Sequence, residues 1–345
     1  MTLRIDTSLP KEVARTESAA RTAEEAAYDG LWVGETQHDP FLQLLQAAGA
    51  TERITLGTAI AIAFGRSPLT LASSAFDMAR YSGGRFVLGL GSQVKPHIER
   101  RFSMPWSHPA PRMRELILAV RAIWDRWQNG TKLDFRGDFY THTLMTPFFS
   151  PPPHEWGPPP VYLAGVGEKM TEVAGEVADG FFVHPFTTER YLRDVTVPAL
   201  ERGRARAGKA GLDDLVLCGP VFVCAGRDDD EMATAVAGTK RQIAFYGSTP
   251  AYRGVLDMHG WGDLQPELTR LSKEGRWAEM GDLIDDDVLR AFAVVGDPEA
   301  VAKGLADRCD GLVQRITLYT TYEAGEDLPA EIVATLDDRR TRAPR

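Results

Sequence analysis

The sequence predicts a (β/α)8 TIM barrel with insertions, of the α/β class. Three observations lead there. Eight apolar, partly β-branched segments alternate with helix-forming segments along all 345 residues. Parallel strands require such crossovers, and eight is the number that closes this barrel. A 43% hydrophobic content supplies a large core, with no internal repeat and no linker dividing the chain. A doubly wound sheet competes, because a strand count alone does not close a barrel. One domain is expected over residues 1–345, with insertions near 93–110, 131–160 and 228–290.

The elements follow in order. LRIDTSL (3–9) reads as a strand, and the Ala- and Glu-rich 11–28 as a helix stopped by Asp29-Gly30. LWVGET (31–36) is a short buried strand. Asp39 caps the next helix (39–50), with Pro40 at its first position. RITLGTAIAIAF (53–64) is the third strand, and 67–82 a helix opened by Ser67-Pro68. RFVLGLGS (85–92) is the fourth strand, followed by a polar excursion. Residues 112–127 form an amphipathic helix with Leu116, Val120, Ile123 and Trp127 on one face. The Pro-rich, aromatic segment 135–160 reads as a short hairpin and a loop. VYLAGV (161–166), FFVHPF (181–186), LVLCGPVFVCAG (215–226) and QRITLYTTY (314–322) complete the strands. Between them lie helices at 168–180, 188–207, broadly 228–290, and 295–309. The last has Asp297 as its cap and Pro298 at its start.

Composition narrows the function classes. A net charge of −9 argues against nucleic acid and anionic membrane surfaces as partners. Cys218, Cys224 and Cys309 are odd in number and form no CxxC, so buried small hydrophobes are expected rather than disulfides or a zinc site. The seven histidines (38, 97, 108, 142, 154, 184 and 259) show no HxH or HExxH spacing, and no metal is expected. Neither a signal-peptide core at the N-terminus nor a run of about 18 apolar residues is visible, so a cytoplasmic protein is expected.

GGRFVLGLGSQVKPHIERRF (83–102) carries glycines that invite a dinucleotide reading. That fingerprint needs a third glycine, a place after the first strand and a direct helix start. Gly89-Leu90-Gly91-Ser92-Gln93-Val94 has none of these. At the C-terminal end of a barrel strand, the same glycines either let a flat ring approach the backbone or relieve crowding inside the barrel.

The motifs resemble the bacterial luciferase-like monooxygenase superfamily, in its coenzyme F420-dependent branch. The resemblance rests on Leu56-Gly57-Thr58, Arg66, Pro68, Ser82-Gly83-Gly84-Arg85, Leu88-Gly89-Leu90-Gly91, VYLAGVGEKMTEVAGEVADGFF and FAVVGDPEAV, which appear in family order. It implies an oxidoreductase passing a hydride between the deazaflavin coenzyme F420 and a small organic substrate. FMN, in a two-component monooxygenase, is the alternative cofactor. A flavin-binding protein without turnover is a third reading, and a carboxylate-pair hydrolase a weak fourth. The resemblance also implies a homodimer. It places a non-proline cis peptide between Ala59 and Ile60 behind the ring, next to Thr58.

Two loops then become cofactor candidates. Gly165, Val166, Gly167 and Glu168 open a helix, where free amides and the helix dipole suit a phosphate. Gly91, Ser92, Gln93 and His97 follow the fourth strand. His97 either reaches the cofactor or is a solvated surface group, and so are Lys95, Arg100 and Arg101. VGETQHDPF (33–41) ends the second strand and presents Glu35, Gln37 and His38 as catalytic candidates, with Thr36 against the ring. His38 alternatively packs or caps the next helix. His184, past the sixth strand, lines the pocket or makes a structural hydrogen bond. The sugar-phosphate dehydrogenases of the family carry Asp-His where Thr36-Gln37 stand, and a Glu where Val94 stands. Both departures argue against that activity. Trp106, Phe148, Phe149, Tyr246 and Trp261 either bind an apolar substrate or pack the insertions.

Overall fold

Each apolar segment becomes a strand, and the intervening helices supply the crossovers that parallel pairing demands. The computed structural model describes residues 3–325 and 327–342, and the fold is a (β/α)8 TIM barrel. It divides into two compact units. One comprises Asp6–Phe182 and Ala199–Val216; the other comprises Met1–Ile5, Val183–Pro198 and Leu217–Arg345.

The first unit contains β1 (Arg4–Ser8, from Asp6 onward), β2 (Gly30–Val33), β3 (Thr55–Thr58), β4 (Ala61–Ile62), β5 (Phe86–Gly91), β8 (Val161–Ala164) and β9 (Gly180–Phe182). Their lateral order is β1-β2-β3-β5-β8-β9, all parallel, with β4 beside the end of β5. β6 (Phe135–Arg136) and β7 (Thr141–His142) form the antiparallel ribbon expected in the Pro-rich insertion. The amphipathic helix runs Pro109–Asn129, and Leu116, Val120, Ile123 and Trp127 are all buried.

Large rings on some strands fill space left by glycines on others. Trp32, Tyr162 and Phe182 form a mutual aromatic cluster with centroids 5.3–6.1 Å apart. A Cβ at Gly57 would lie 2.2 Å from the Trp32 ring. Below it, the indole Nε1 donates to the buried Asp6 carboxylate at 2.8 Å.

The predicted third strand is not continuous. β3 stops at Thr58, the Ala59–Ile60 peptide is cis, and β4 leads into a 3-10 turn at Ala63–Gly65. Where the β3–β5 ladder ends, the buried Thr58 hydroxyl replaces it. It donates to the Gly89 carbonyl at 2.7 Å and accepts from the Gly89 amide at 2.9 Å. A Cβ at Gly89 would sit 1.8 Å from the Thr58 carbonyl oxygen, so only glycine fits.

Arg85 closes the other end of β5. Its guanidinium donates to Ser82 O, Thr51 Oγ1, Ile54 O, Ala48 O and Thr51 O. Burial pulls this guanidinium below its ordinary pKa. Gly83 and Gly84, with φ of 66° and 80°, make the turn that delivers it.

The second unit contains β10 (Val216–Ala225, from Leu217 onward), β11 (Ala293–Gly296) and β12 (Arg315–Tyr319), with β10 between the other two. β11 lies where a helix start was expected; Val294 and Val295 pair with β10 before Asp297 caps the helix Pro298–Cys309. FFVHPF yields a strand only to Phe182, because the following His184-Pro185 turns: the His184 Nδ1 accepts from the Phe186 amide at 3.0 Å. Residues 228–290 are five helices around a core that includes Phe186, Phe222, Leu256 and Phe292.

His184 has a fixed protonation pattern. With Nδ1 accepting, its Nε2 faces the Tyr252 hydroxyl at 3.0 Å, and the two rings stack at 4.5 Å. Burial lowers its pKa to about 4. The unfolded chain protonates near 6.5, so folding loses stability as pH falls from about 6.5 to about 4. We expect the cost of His184→Gln, from urea midpoints, to be about 2 kcal/mol smaller at pH 5 than at pH 7. An equal cost at both values removes the assignment. At the bulge, Thr58→Val should cost about 1–3 kcal/mol and Gly89→Ala about 3 kcal/mol or more, with Thr58→Ser milder than either. Chemical denaturation of the three variants ranks them.

Candidate functional site

Parallel pairing sends the C-terminal ends of β2, β3, β5 and β8 to one edge of the first unit. Glu35–His38, Ala59-Ile60, Gly91–Gln93 and Gly165–Glu168 are the residues that leave those ends. The sequence candidates of this unit therefore meet at one rim.

The cis segment is stitched to the end of β2. The Ala59 amide donates to Val33 O at 2.8 Å, and the Glu35 amide donates to Ile60 O at 3.0 Å. The Glu35 Oε2 accepts from the Ile62 amide at 2.7 Å and from the Arg66 guanidinium. Arg66 also donates to Asp39 at 2.8 Å, and Asp39 caps the helix Pro40–Ala50 through the Phe41 amide. The Glu35 and Arg66 side chains are only 7% and 14% exposed. Burial pulls the Arg66 pKa down, but hydrogen bonds and charge from Glu35, then Asp39, outweigh it and hold it above the ordinary value. Asp39 is expected as a helix cap and Arg66 as part of the family motif, but their joint ion pairing with the site is not read from the sequence. The available signal was a lone arginine after an apolar run, which needs an anion when half-buried.

Several candidates need correction. The Thr58 hydroxyl donates to and accepts from Gly89, so its donor is committed to the sheet. Glu35 is no free acid; its carboxylate clasps the bulge. Gly91 does not simply clear room for a ring, because a Cβ there would lie 2.7 Å from Ile60 Cγ1. The polar excursion after β5 contains a helix, Lys95–Arg100, with Pro96 in its first turn. Gln93 reaches it in a left-handed conformation (φ 60°), its Oε1 accepting from the Val94 amide at 3.0 Å while Ser92 Oγ donates to Gln93 O.

Thr36, Gln37, His38 and His97 are exposed. Arg101 ties their two loops together by donating to Thr36 O at 2.8 Å. With Lys95, Arg100 and His97, it gives this rim a basic margin.

The loop after β8 is glycine-built. Gly167, at φ 83°, precedes the helix Glu168–Val177, and no side chain caps that N-terminus. A Cβ at Gly167 would meet nothing within 4 Å, whereas one at Gly165 would meet Met170 Cγ at 2.6 Å. The first position shapes the open loop; the second packs it. The exposed Glu168 carboxylate pairs with Arg202 at 3.0 Å, leaving the first-turn amides as the anion-attracting groups. The uncapped helix start and the partly buried Ala59-Ile60 bulge flank the end of β5.

His184 belongs to the second unit, where its ring nitrogens are engaged as described above. Among the expected substrate aromatics, Trp106 packs edge-on to Phe64 at 5.6 Å, while Phe148 and Phe149 are 90% and 70% exposed. No helix among the described residues is long and apolar enough to cross a membrane.

Comparison with known proteins places this geometry. A family model described as luciferase-like monooxygenase matches residues 3–315. An uncharacterized protein of Mycobacterium tuberculosis is 55% identical over 314 residues, covering 91% of this chain and 92% of the relative. The 5,10-methylenetetrahydromethanopterin reductase of Archaeoglobus fulgidus is 26% identical, covering 81% and 82%. The structure of the coenzyme F420-dependent tetrahydromethanopterin reductase from Methanopyrus kandleri superposes with a TM-score of 0.75 at 20% identity, covering 97% of each chain. The fold, the cis peptide behind the rim and the match over residues 3–315 agree: this chain belongs to the luciferase-like monooxygenase family.

Proposed function

We propose that this protein is a coenzyme F420-dependent oxidoreductase acting on a small organic substrate. The observation that carries the reading is the rim of the first unit, where the Ala59-Ile60 bulge and an uncapped helix N-terminus flank β5. The residues fit such a cofactor: Ala59 and Ile60 back its ring, and the amides of Gly165–Glu168 hold its phosphate. When bound, the deazaflavin supplies two-electron hydride transfer. The basic margin of Lys95, His97, Arg100 and Arg101 complements an acidic tail. An FMN-dependent monooxygenase is the second reading, favoured by the family description itself.

In this reading the chain's own residues divide the work. Glu35 and Arg66 act as positioning residues by fixing the bulge. His38, exposed past β2, holds the proton delivered to or taken from the substrate, and Gln37 beside it hydrogen-bonds the substrate. Thr36, Ser92 and Gln93 shape the margin of the ring pocket.

Spectral titration of the protein with coenzyme F420 and with FMN decides between the cofactors. Saturable F420 binding with weaker FMN binding is expected; the reverse order removes the first reading. Val166→Glu places a charge in the phosphate loop without touching Met170. It should weaken F420 binding at least about tenfold while leaving the melting temperature unchanged. Unaltered affinity would mean the loop does not hold the phosphate.

The positioning and proton-transfer roles separate by different readouts. Glu35→Gln should destabilise the fold by about 1–3 kcal/mol, since it leaves the largely buried Arg66 with only the more exposed Asp39 as a charge partner. His38→Asn should leave stability alone, lower kcat at least about a hundredfold and abolish one limb of the pH profile. A stable, slow Glu35→Gln enzyme with an altered pH profile would reverse the two assignments.

A further inference from the structure

The second unit contains a groove of about 720 Å³ whose lining shares no residue with the cofactor candidates. That volume falls in the range of small-molecule sites. Four arginines line it: Arg190, Arg193, Arg290 and Arg308. Three carboxylates line it too, but each is already paired. Glu189 accepts from Arg193 at 3.1 Å, Asp194 lies 3.7 Å from Arg190, and Asp307 lies 2.5 Å from Lys303. Among the described residues, no ion pair joins Arg290 or Arg308.

Arg308 is the informative one. Its guanidinium donates to the Ala291 carbonyl at 2.6 Å, which sets it beside Arg290 on the chain. Burial pulls its pKa below the ordinary value, and the charge of the groove-lining Glu189, itself paired with Arg193, offsets only part of that cost. The neighbouring His259 reports the same field. Its Nε2 faces the Thr188 hydroxyl at 2.8 Å, and that hydroxyl also accepts from the Tyr191 amide. Burial, then the charge of Arg190, keeps this histidine below its usual pKa. Four arginines against three carboxylates leave the groove lining with a net positive charge, beside the apolar Ala291, Val294 and Val295.

We propose that this groove binds a small phosphate-bearing organic anion, gripped by the guanidinium forks of Arg290 and Arg308. Guanidinium pairs a phosphate bidentately, and the apolar part of the lining accepts the organic body. The site is independent of the proposed redox function.

Calorimetric titration of the full chain with inorganic pyrophosphate and with ADP tests it. Saturable binding with a Kd below about 1 mM is expected for ADP. Arg290→Ala, an exposed side chain outside the core, should weaken it at least about tenfold, and Arg308→Lys should also weaken it. The His259 imidazole pKa, followed by NMR, should rise on binding, because the ligand offsets Arg190. Tighter ADP than pyrophosphate binding supports use of the apolar lining; equal binding supports recognition of the phosphates alone. No saturable heat with either probe overturns the proposal. So does binding that Arg290→Ala leaves intact, or that Val166→Glu abolishes instead, since the anion then sits at the helix after β8.

Discussion

The rim of the first unit depends on how the chain compensates for a broken ladder. After Gly57 the backbone of β3 no longer continues its pairing with β5, and buried amides cannot be left without partners. The Thr58 hydroxyl takes over for Gly89 on one side. On the other side the Glu35 carboxylate takes over for Ile62. Two side chains thus complete a sheet that the main chain alone does not complete. Their geometry sets where Ala59 and Ile60 stand, and so what the rim can hold. Arg66 makes the arrangement affordable by neutralising Glu35, and it carries the constraint onward to Asp39 and the helix it caps.

This assigns different work to the motifs from what their glycines first suggest. Leu56-Gly57-Thr58 supplies a clearance for Trp32 and a bridging hydroxyl. Leu88-Gly89-Leu90-Gly91 supplies clearances for a backbone carbonyl and for Ile60. Ser82-Gly83-Gly84-Arg85 supplies a turn and a guanidinium whose bonds are all to the chain itself. The proposed catalytic residues Gln37 and His38 lie instead on an exposed loop that the rigid parts position.

That division explains what was legible in the sequence. Strands, caps and the amphipathic helix 109–129 follow from local pattern: Asp39, Ser67 and Asp297 cap as expected because N-capping is a property of a few adjacent residues. β11 was missed because four residues, Ala293–Gly296, give too short a run to separate from the helix that follows. The partners of Glu35 were not legible for a different reason. A carboxylate at a strand end looks catalytic until its partner is known, and Arg66 lies 31 residues away, with the pairing set by tertiary structure alone. Long-range compensation of charge leaves no periodicity to read.

The two anion sites proposed for this acidic chain would attract their ligands by different means. With a net charge of −9, the long-range field repels polyanions, so attraction has to be local. At the proposed phosphate loop, Gly165–Glu168, it would come from amide dipoles at a helix start, while the Glu168 carboxylate is drawn off by Arg202. Dipoles act over a turn of helix and lose little to salt once a ligand excludes water. In the arginine-lined groove it comes from whole charges left over after every lining carboxylate has found a cation. Whole charges act further but are screened within about 8 Å at physiological ionic strength. Affinity in the groove should therefore fall more steeply with salt than affinity at the helix start. The cause is the kind of charge each site uses, not the amount of anion each one meets.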